Sequence, residues 1–163
     1  MISLETSLSH MAWADNKLFT EIQRLPNESL LLFGHDSEWT VGRNLMHILQ
    51  GVQWYRFLLM GSQSSDLKVP TAAAEVELLR VQLSDMYESL IVAATQPDAM
   101  VEFEDEGGKR CAPRSVVLSQ APYHAAEHRA NIVGILHAHG ERSIHLDDYD
   151  VWAWYYETQT ETK

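Results

Sequence analysis

Apolar residues recur at alternating steps of three and four in four separate stretches of this sequence. Such spacing lines one face of an α-helix, and that face must be buried against another element. Proline or glycine follows each stretch and limits the helices to lengths typical of globular proteins. The stretches run from Ser3 to Leu25, from Thr40 to Met60, from Thr71 to the residue before Pro97, and from Ser115 to the residue before Gly140. We therefore predict an all-α fold, a four-helix bundle.

Two further segments lie between and after these helices. Residues 101–113 alternate apolar and polar side chains around Gly107 and Gly108, which predicts a short exposed hairpin. Residues 147–156 are rich in aromatic side chains and predict a short fifth helix followed by a frayed tail. Pro122 lies inside the fourth stretch, where an interior proline favours a kink. The length of 163 residues fits one domain, residues 1–163.

The charge balance opposes several classes of partner. The chain carries 23 Asp and Glu against 12 Lys and Arg, a formal net charge of -11, which would repel a nucleic-acid backbone. No apolar run approaches the roughly 18 to 20 residues of a membrane-spanning helix. The first residues lack the pattern of a secretory signal, and the single cysteine, Cys111, excludes an internal disulfide. We expect a cytoplasmic protein that binds neither nucleic acid nor membranes, and any metal site must use histidines and carboxylates.

Three histidines form a candidate metal site. His124 and His128 lie four residues apart, so both imidazoles project from the predicted core face of the fourth helix. Buried imidazoles without partners would be costly to desolvate. His47 lies in the middle of the second helix, at a depth that matches the pair in an antiparallel bundle. We predict that these three residues bind a divalent metal ion and leave a coordination position open, as in catalytic zinc-type sites.

The remaining histidines have no matching geometry. On its own, His47 would be interpreted as a core histidine bonded to a backbone carbonyl, and only the triplet favours a metal. The other five are interpreted as surface or loop residues, with His139 nearest to the inward stripe. These five are His10, His35, His137, His139 and His145.

Two carboxylates have possible roles near the triad. Glu127 is one step away from the histidine face and could orient a ligand imidazole or act as a catalytic base. A solvated carboxylate explains it equally well. Asp15 interrupts the apolar seam of the first helix, and a buried carboxylate needs a partner. We expect a structural contact with Arg129 or Arg43, with a role in the site as the minority alternative.

Asn44, Asn131 and Gly51 are predicted to face the same region. The two asparagines could bind substrate, although a hydrogen bond between helices is the simpler expectation. Asn44, Trp54 and Leu58 share the helix face of His47, and Gly51 on that face is predicted to leave space beside the imidazole.

Three tryptophans and the cysteine complete the candidates. Trp54, Trp152 and Trp154 could wall a pocket for an apolar substrate, but aromatic residues at helical spacing are more often part of the core. Cys111 lies in the predicted hairpin and is not expected to be a nucleophile.

Several strings resemble the DinB/YfiT-like family of metal-binding four-helix bundles over nearly the whole chain. They are MAWADNKL at 11–18, NLMHIL at 44–49, HAAEHRANI at 124–132 and HLDDYDVW at 145–152. Ala130 and Asn131 stand where the family often has glycine and glutamine, so helix packing and a nearby amide could differ here. The resemblance implies a three-histidine site for nickel, zinc or a similar ion, and a homodimer in many members.

The resemblance also implies thiol-transfer, isomerase or hydrolase chemistry, as in the few members with a known reaction. Our leading hypothesis is an enzyme that activates water or a low-molecular-weight thiol for attack on a small-molecule substrate. The rival is a non-catalytic bundle in which the metal site is structural and the aromatic tail is an interface. A nucleic-acid binder is suggested only by the family name, and the acidic balance opposes it.

Overall fold

The computed structural model describes residues 2–105 and 107–160. Within these residues the fold is mostly helical, with five α-helices, two 3-10 turns and one small sheet. The helices are α1 (Leu4–Ile22), α2 (Val41–Met60), α3 (Ala73–Ala94), α4 (Arg114–Ala138) and α5 (Val151–Thr160). The 3-10 turns span Asn27–Leu31 and Leu146–Tyr149. The strands are β1 (Met100–Asp105) and β2 (Gly108–Pro113).

Side-chain caps determine where the first two helices begin. The Ser3 hydroxyl accepts from the backbone N–H of Thr6, and the Thr40 hydroxyl accepts from that of Arg43 at 3.1 Å. Both satisfy N–H groups that the first helical turn leaves unpaired. Helix α2 ends as predicted at Gly61, whose φ of 66° is the left-handed conformation that glycine adopts without strain.

Thr71 begins the third periodic stretch, and its hydroxyl type predicts that it caps this helix; that prediction is wrong. Helix α3 begins after Ala72, which makes no side-chain cap. The backbone N–H and the hydroxyl of Thr71 both donate to Glu75 Oε2, at 2.7 and 3.0 Å. The carboxylate thus reaches back from the first turn to Thr71, the residue that precedes the cap position Ala72.

The four long helices pack on one another around a shared apolar core. Helix α1 packs mainly on α3 and α4, and α2 packs mainly on α4 and α3. The largest fully buried side chains come from all four long helices; they are Phe19, Leu8, Met11, Leu18, Leu45, Ile48, Leu49, Leu83, Leu90, Leu118, Ile132 and Leu136. The extensive contact between α2 and α4 positions the site, because these two helices carry the histidines of the candidate triad.

The predicted hairpin is confirmed and adds an antiparallel sheet to the helices. Strands β1 and β2 pair in the register Val101 to Ala112 and Asp105 to Gly108. Gly108 has a φ of 97°, so the turn uses the conformational freedom of this glycine. Helix α4 continues through Pro122 from Arg114 to Ala138. The predicted tail beyond α5 lies outside the described residues, and no described helix is long and apolar enough to cross a membrane.

Candidate metal centre

His47, His124 and His128 meet between α2 and α4. Each offers one ring nitrogen, and these three atoms all lie within 4.8 Å of one another. The ring centroids are 5.0 Å apart for His47 and His124, 4.7 Å for His47 and His128, and 4.6 Å for His124 and His128. All three residues are half-buried. Helix α2 and one face of α4 therefore bring together the residues that the sequence predicted as ligands.

A buried asparagine orients His128. Asn44 is fully buried, and its amide nitrogen donates to the backbone carbonyls of Thr40 at 2.8 Å and Trp39 at 3.3 Å. Its Oδ1 therefore faces His128 and accepts from Nδ1 at 2.9 Å. This bond places the imidazole proton on Nδ1 and leaves the Nε2 lone pair free for a metal ion.

His47 has a comparable partner on its own helix. Its Nδ1 lies 3.0 Å from Oε1 of Gln50, and with the proton on Nδ1 the imidazole donates to this amide oxygen. The same tautomer then exposes Nε2. Two of the three histidines thus have an acceptor on Nδ1, which is the arrangement that outer partners give to metal-binding imidazoles.

Trp39 covers one side of the triad and was missed in the sequence analysis. Its ring stacks on His128 at 5.5 Å between centroids and meets His47 edge-on at 5.1 Å. The Arg43 guanidinium carbon lies 5.9 Å from the Trp39 ring. The sequence offered one signal, a tryptophan directly before the Thr40 cap of the helix that carries His47, but its contact with α4 depends on the path of the preceding loop.

The surroundings of His124 and His128 favour the neutral form of these two imidazoles. Burial, with a smaller contribution from His47, lowers the pKa of His124. Burial, together with the nearby His124 and His47, lowers the pKa of His128 to about 4. Neutral imidazole nitrogens are ligands suited to zinc, nickel and related divalent ions. Within residues 2–105 and 107–160, no fourth His, Cys, Asp or Glu joins this group, so its residues fit an ion with an open position.

Glu127 and Asn131 lie at the rim of the site. With Trp39 and His128 they line an open cavity of about 340 Å³. Both residues are exposed. The prediction that the Asn131 side chain faces the interior is therefore wrong. Its amide nitrogen nevertheless donates to Asn44 Oδ1 at 3.0 Å, which confirms the expected hydrogen bond between the helices.

Asp15 has the structural contact that the sequence predicted. Its carboxylate is fully buried and pairs with Nη1 of Arg129, which is 4% exposed. The hydroxyl of Tyr87 donates to the other carboxylate oxygen. Burial and the Asp15 charge raise the pKa of Tyr87 well above its usual value, so this hydroxyl keeps its proton. The network joins α1, α3 and α4 at the residue that follows His128.

The histidines outside the triad do not join it. His10 differs from the prediction of a surface residue, because it is half-buried on α1 and its Nε2 donates to the Tyr149 carbonyl at 2.8 Å. His137 is also half-buried and bonds to the Ile144 carbonyl at 2.8 Å. His139 is exposed and bonds to the Phe33 carbonyl at 2.9 Å. His35 and His145 are exposed as predicted.

The other candidates lie away from the cavity beside His128. Trp54 is 40% exposed and stacks on Phe57, so it belongs neither to the core nor to this cavity. Trp152 is 72% exposed, and Trp154 lies against His10. Cys111 is an exposed thiol on β2. The tryptophan that lies against the triad is therefore Trp39, and it is none of the three that the sequence suggested.

The chain was compared with curated proteins and with models of protein families. No curated protein matches the chain significantly. The DinB family model matches residues 1–161, which is nearly the full length of the sequence and includes all three histidines. The chain therefore belongs to the DinB family.

Proposed function

We propose that this protein is a divalent-metal-dependent enzyme that acts on a small molecule. The observation that carries the proposal is the convergence of His47, His124 and His128, whose ligand atoms lie within 4.8 Å of one another. The family resemblance implies nickel or zinc as the ion. A divalent ion in such a site supplies Lewis acidity and lowers the pKa of a water or thiol that binds to it.

The residues around the triad support this function in distinct ways. Asn44 and Gln50 hold protons on Nδ1 of two ligands and so present Nε2 lone pairs. Trp39 packs on the triad and leaves access from the side of the cavity. Glu127 lies at the rim of that cavity, where we propose that its carboxylate takes the proton released when the nucleophile forms.

Water and a low-molecular-weight thiol are the two candidate nucleophiles, and both lose a proton in the first step. The corresponding activities are hydrolysis and thiol transfer. A purely structural metal site is the alternative, and a fourth protein ligand would favour it because a closed tetrahedral site leaves no position for substrate. We further propose that the long helices form the four-helix bundle of the family, that residues 1–163 are one domain, and that the protein is a cytoplasmic homodimer.

Cobalt substitution tests whether the site is open. Protein purified without a histidine tag is expected to bind about one divalent ion, and the visible spectrum of the cobalt form should shift when a small thiol, azide or imidazole is added. Elemental analysis of His47→Ala should show little bound metal. A cobalt spectrum that no added ligand changes would mean a closed site and would replace the enzyme with the structural alternative.

Acidification is expected to destabilise the metal-free protein between pH 6.5 and pH 4. In this range the unfolded chain takes up a proton on residue 128 near the free histidine pKa of about 6.5, whereas the folded chain takes it up only near pH 4. Stability is therefore lost as the pH falls, by at most about 1.4 kcal/mol per pH unit for this group. Urea unfolding of metal-free protein across this range measures the slope.

His128→Gln is the control for the pH experiment, because its amide does not titrate. The variant should show a shallower loss of unfolding free energy than the unchanged protein between pH 6.5 and pH 4. Equal slopes would contradict the assignment of this pH dependence to His128.

A further inference from the structure

The three histidines of the triad are oriented by different means. His128 donates to Asn44, and His47 donates to Gln50. The His124 ring has no hydrogen-bond partner among the residues that the structure describes. An imidazole without a hydrogen bond can rotate about its side-chain torsions unless packing restricts it. Packing must therefore supply for His124 the restraint that hydrogen bonds supply for the other two.

Gly51 provides this packing. A Cβ atom built on Gly51 would lie 2.5 Å from Cε1 and 2.7 Å from Nδ1 of His124. Both distances are far shorter than a van der Waals contact, so the imidazole occupies the volume that a side chain at position 51 would fill. The space that the sequence predicted beside His47 is thus occupied by another member of the triad.

Glycine at position 51 requires a structural explanation because of where it lies in the helix. It lies inside α2, one helical turn after His47, where glycine destabilises a helix relative to alanine. A glycine within a helix has a structural reason when another group approaches its backbone closely. Here that group is the ring of a candidate ligand.

Tyr55 borders the same space one turn further along α2. It is 7% exposed, and its ring meets the His124 ring edge-on at 6.3 Å between centroids and 82° between planes. Gly51 and Tyr55, both on α2, therefore border the His124 ring. Gly51 leaves room for the ring, and Tyr55 limits its rotation.

We propose that Gly51 is a positioning residue that holds His124 in the orientation required for metal binding. The proposal rests on the metal site of the proposed function. It predicts that any side chain at position 51 displaces the His124 ring, because the ring is the free end of a side chain and yields more easily than the helix backbone.

The test compares Gly51→Ala with Gly134→Ala. Gly134 lies in α4, and a Cβ at this position meets no atom within 4 Å, so the control gains the same helix propensity without the clash. Both metal-free variants should unfold at the same temperature as the unchanged protein or higher. Cobalt affinity, measured against a competing chelator, should fall at least about tenfold in Gly51→Ala only, the loss seen when an outer residue that orients a ligand is removed.

The cobalt spectrum and a nuclear Overhauser measurement complete the test. The visible bands of cobalt-loaded Gly51→Ala should differ from those of Gly134→Ala in position or intensity. Metal-free unchanged protein should show a cross-peak between the Hε1 proton of His124 and the α-protons of Gly51, whether or not the variant folds. Any of three results would overturn the proposal. They are an unchanged cobalt affinity and spectrum in Gly51→Ala, an equal loss of cobalt affinity in both variants, and an absent cross-peak in the unchanged protein.

Cobalt binding and the nuclear Overhauser cross-peak together separate this proposal from the proposed function. If the unchanged protein binds no divalent ion, the metal site itself is wrong, and the cross-peak alone still decides whether His124 lies over Gly51. If the unchanged protein binds cobalt but Gly51→Ala binds it equally well, the metal site stands and the positioning role of Gly51 fails.

Discussion

His128→Ala is expected to lose stoichiometric metal binding while its helix content stays the same. The substitution removes one of three ligands, so affinity should fall by more than the roughly 10- to 100-fold typical of losing an outer partner. The ring is half-buried, and its loss leaves Asn44 Oδ1 with the bond from Asn131, so unfolding free energy should fall by only about 1 kcal/mol. Elemental analysis and far-ultraviolet circular dichroism measure the two effects. His124→Ala and His47→Ala should behave alike.

Two matched variants calibrate this loss. His139→Ala removes an exposed imidazole from the end of the same helix, and its metal content should equal that of the unchanged protein. Asn44→Ala removes the acceptor of His128 but no ligand, so its affinity should fall to an intermediate value. Full metal occupancy in His128→Ala, or equal losses in His128→Ala and His139→Ala, would contradict the triad.

The helices were predictable from sequence because local chemistry decides them. The cap at Thr40 and the stop at Gly61 act within one turn of the chain, and the structure shows both. Thr71 does not cap the helix because its own hydroxyl donates to Glu75. The N–H of Ala73 in the first turn donates instead to Asn27 Oδ1, which is distant in sequence. The periodicity therefore gives the elements more reliably than it gives their first residues.

The candidate site was predictable only in its ligands. His124 and His128 share a helix, and the central position of His47 on α2 was enough to bring it to the same level. Trp39 lies in a loop, where no periodicity indicates the direction of the side chain. The contact of Gly51 with His124 depends on the separation of α2 and α4, which no local pattern contains. The rim and the packing of the site thus required the structure.

Asp15→Ala is expected to be the most destabilising of these substitutions, by about 3 to 5 kcal/mol of unfolding free energy. It leaves the Arg129 guanidinium, which is 4% exposed, without its carboxylate and the Tyr87 hydroxyl without its acceptor. An unpaired buried charge costs far more than the lost attraction of a surface pair. The melting temperature should fall by roughly 6 to 20 °C, since 1 kcal/mol shifts it by about 2 to 4 °C at this chain length.

Lys17→Ala is the matched control, because Lys17 lies two residues further along α1 and pairs with Glu157 at the surface. Its loss should cost at most about 1 kcal/mol. The double variant Asp15→Ala with Arg129→Met removes both buried charges, so it should be more stable than Asp15→Ala alone. Thermal unfolding of the four proteins decides between the outcomes. If the double variant is less stable than Asp15→Ala, Arg129 stabilises the core through its packing, and the buried charge is not the source of the loss.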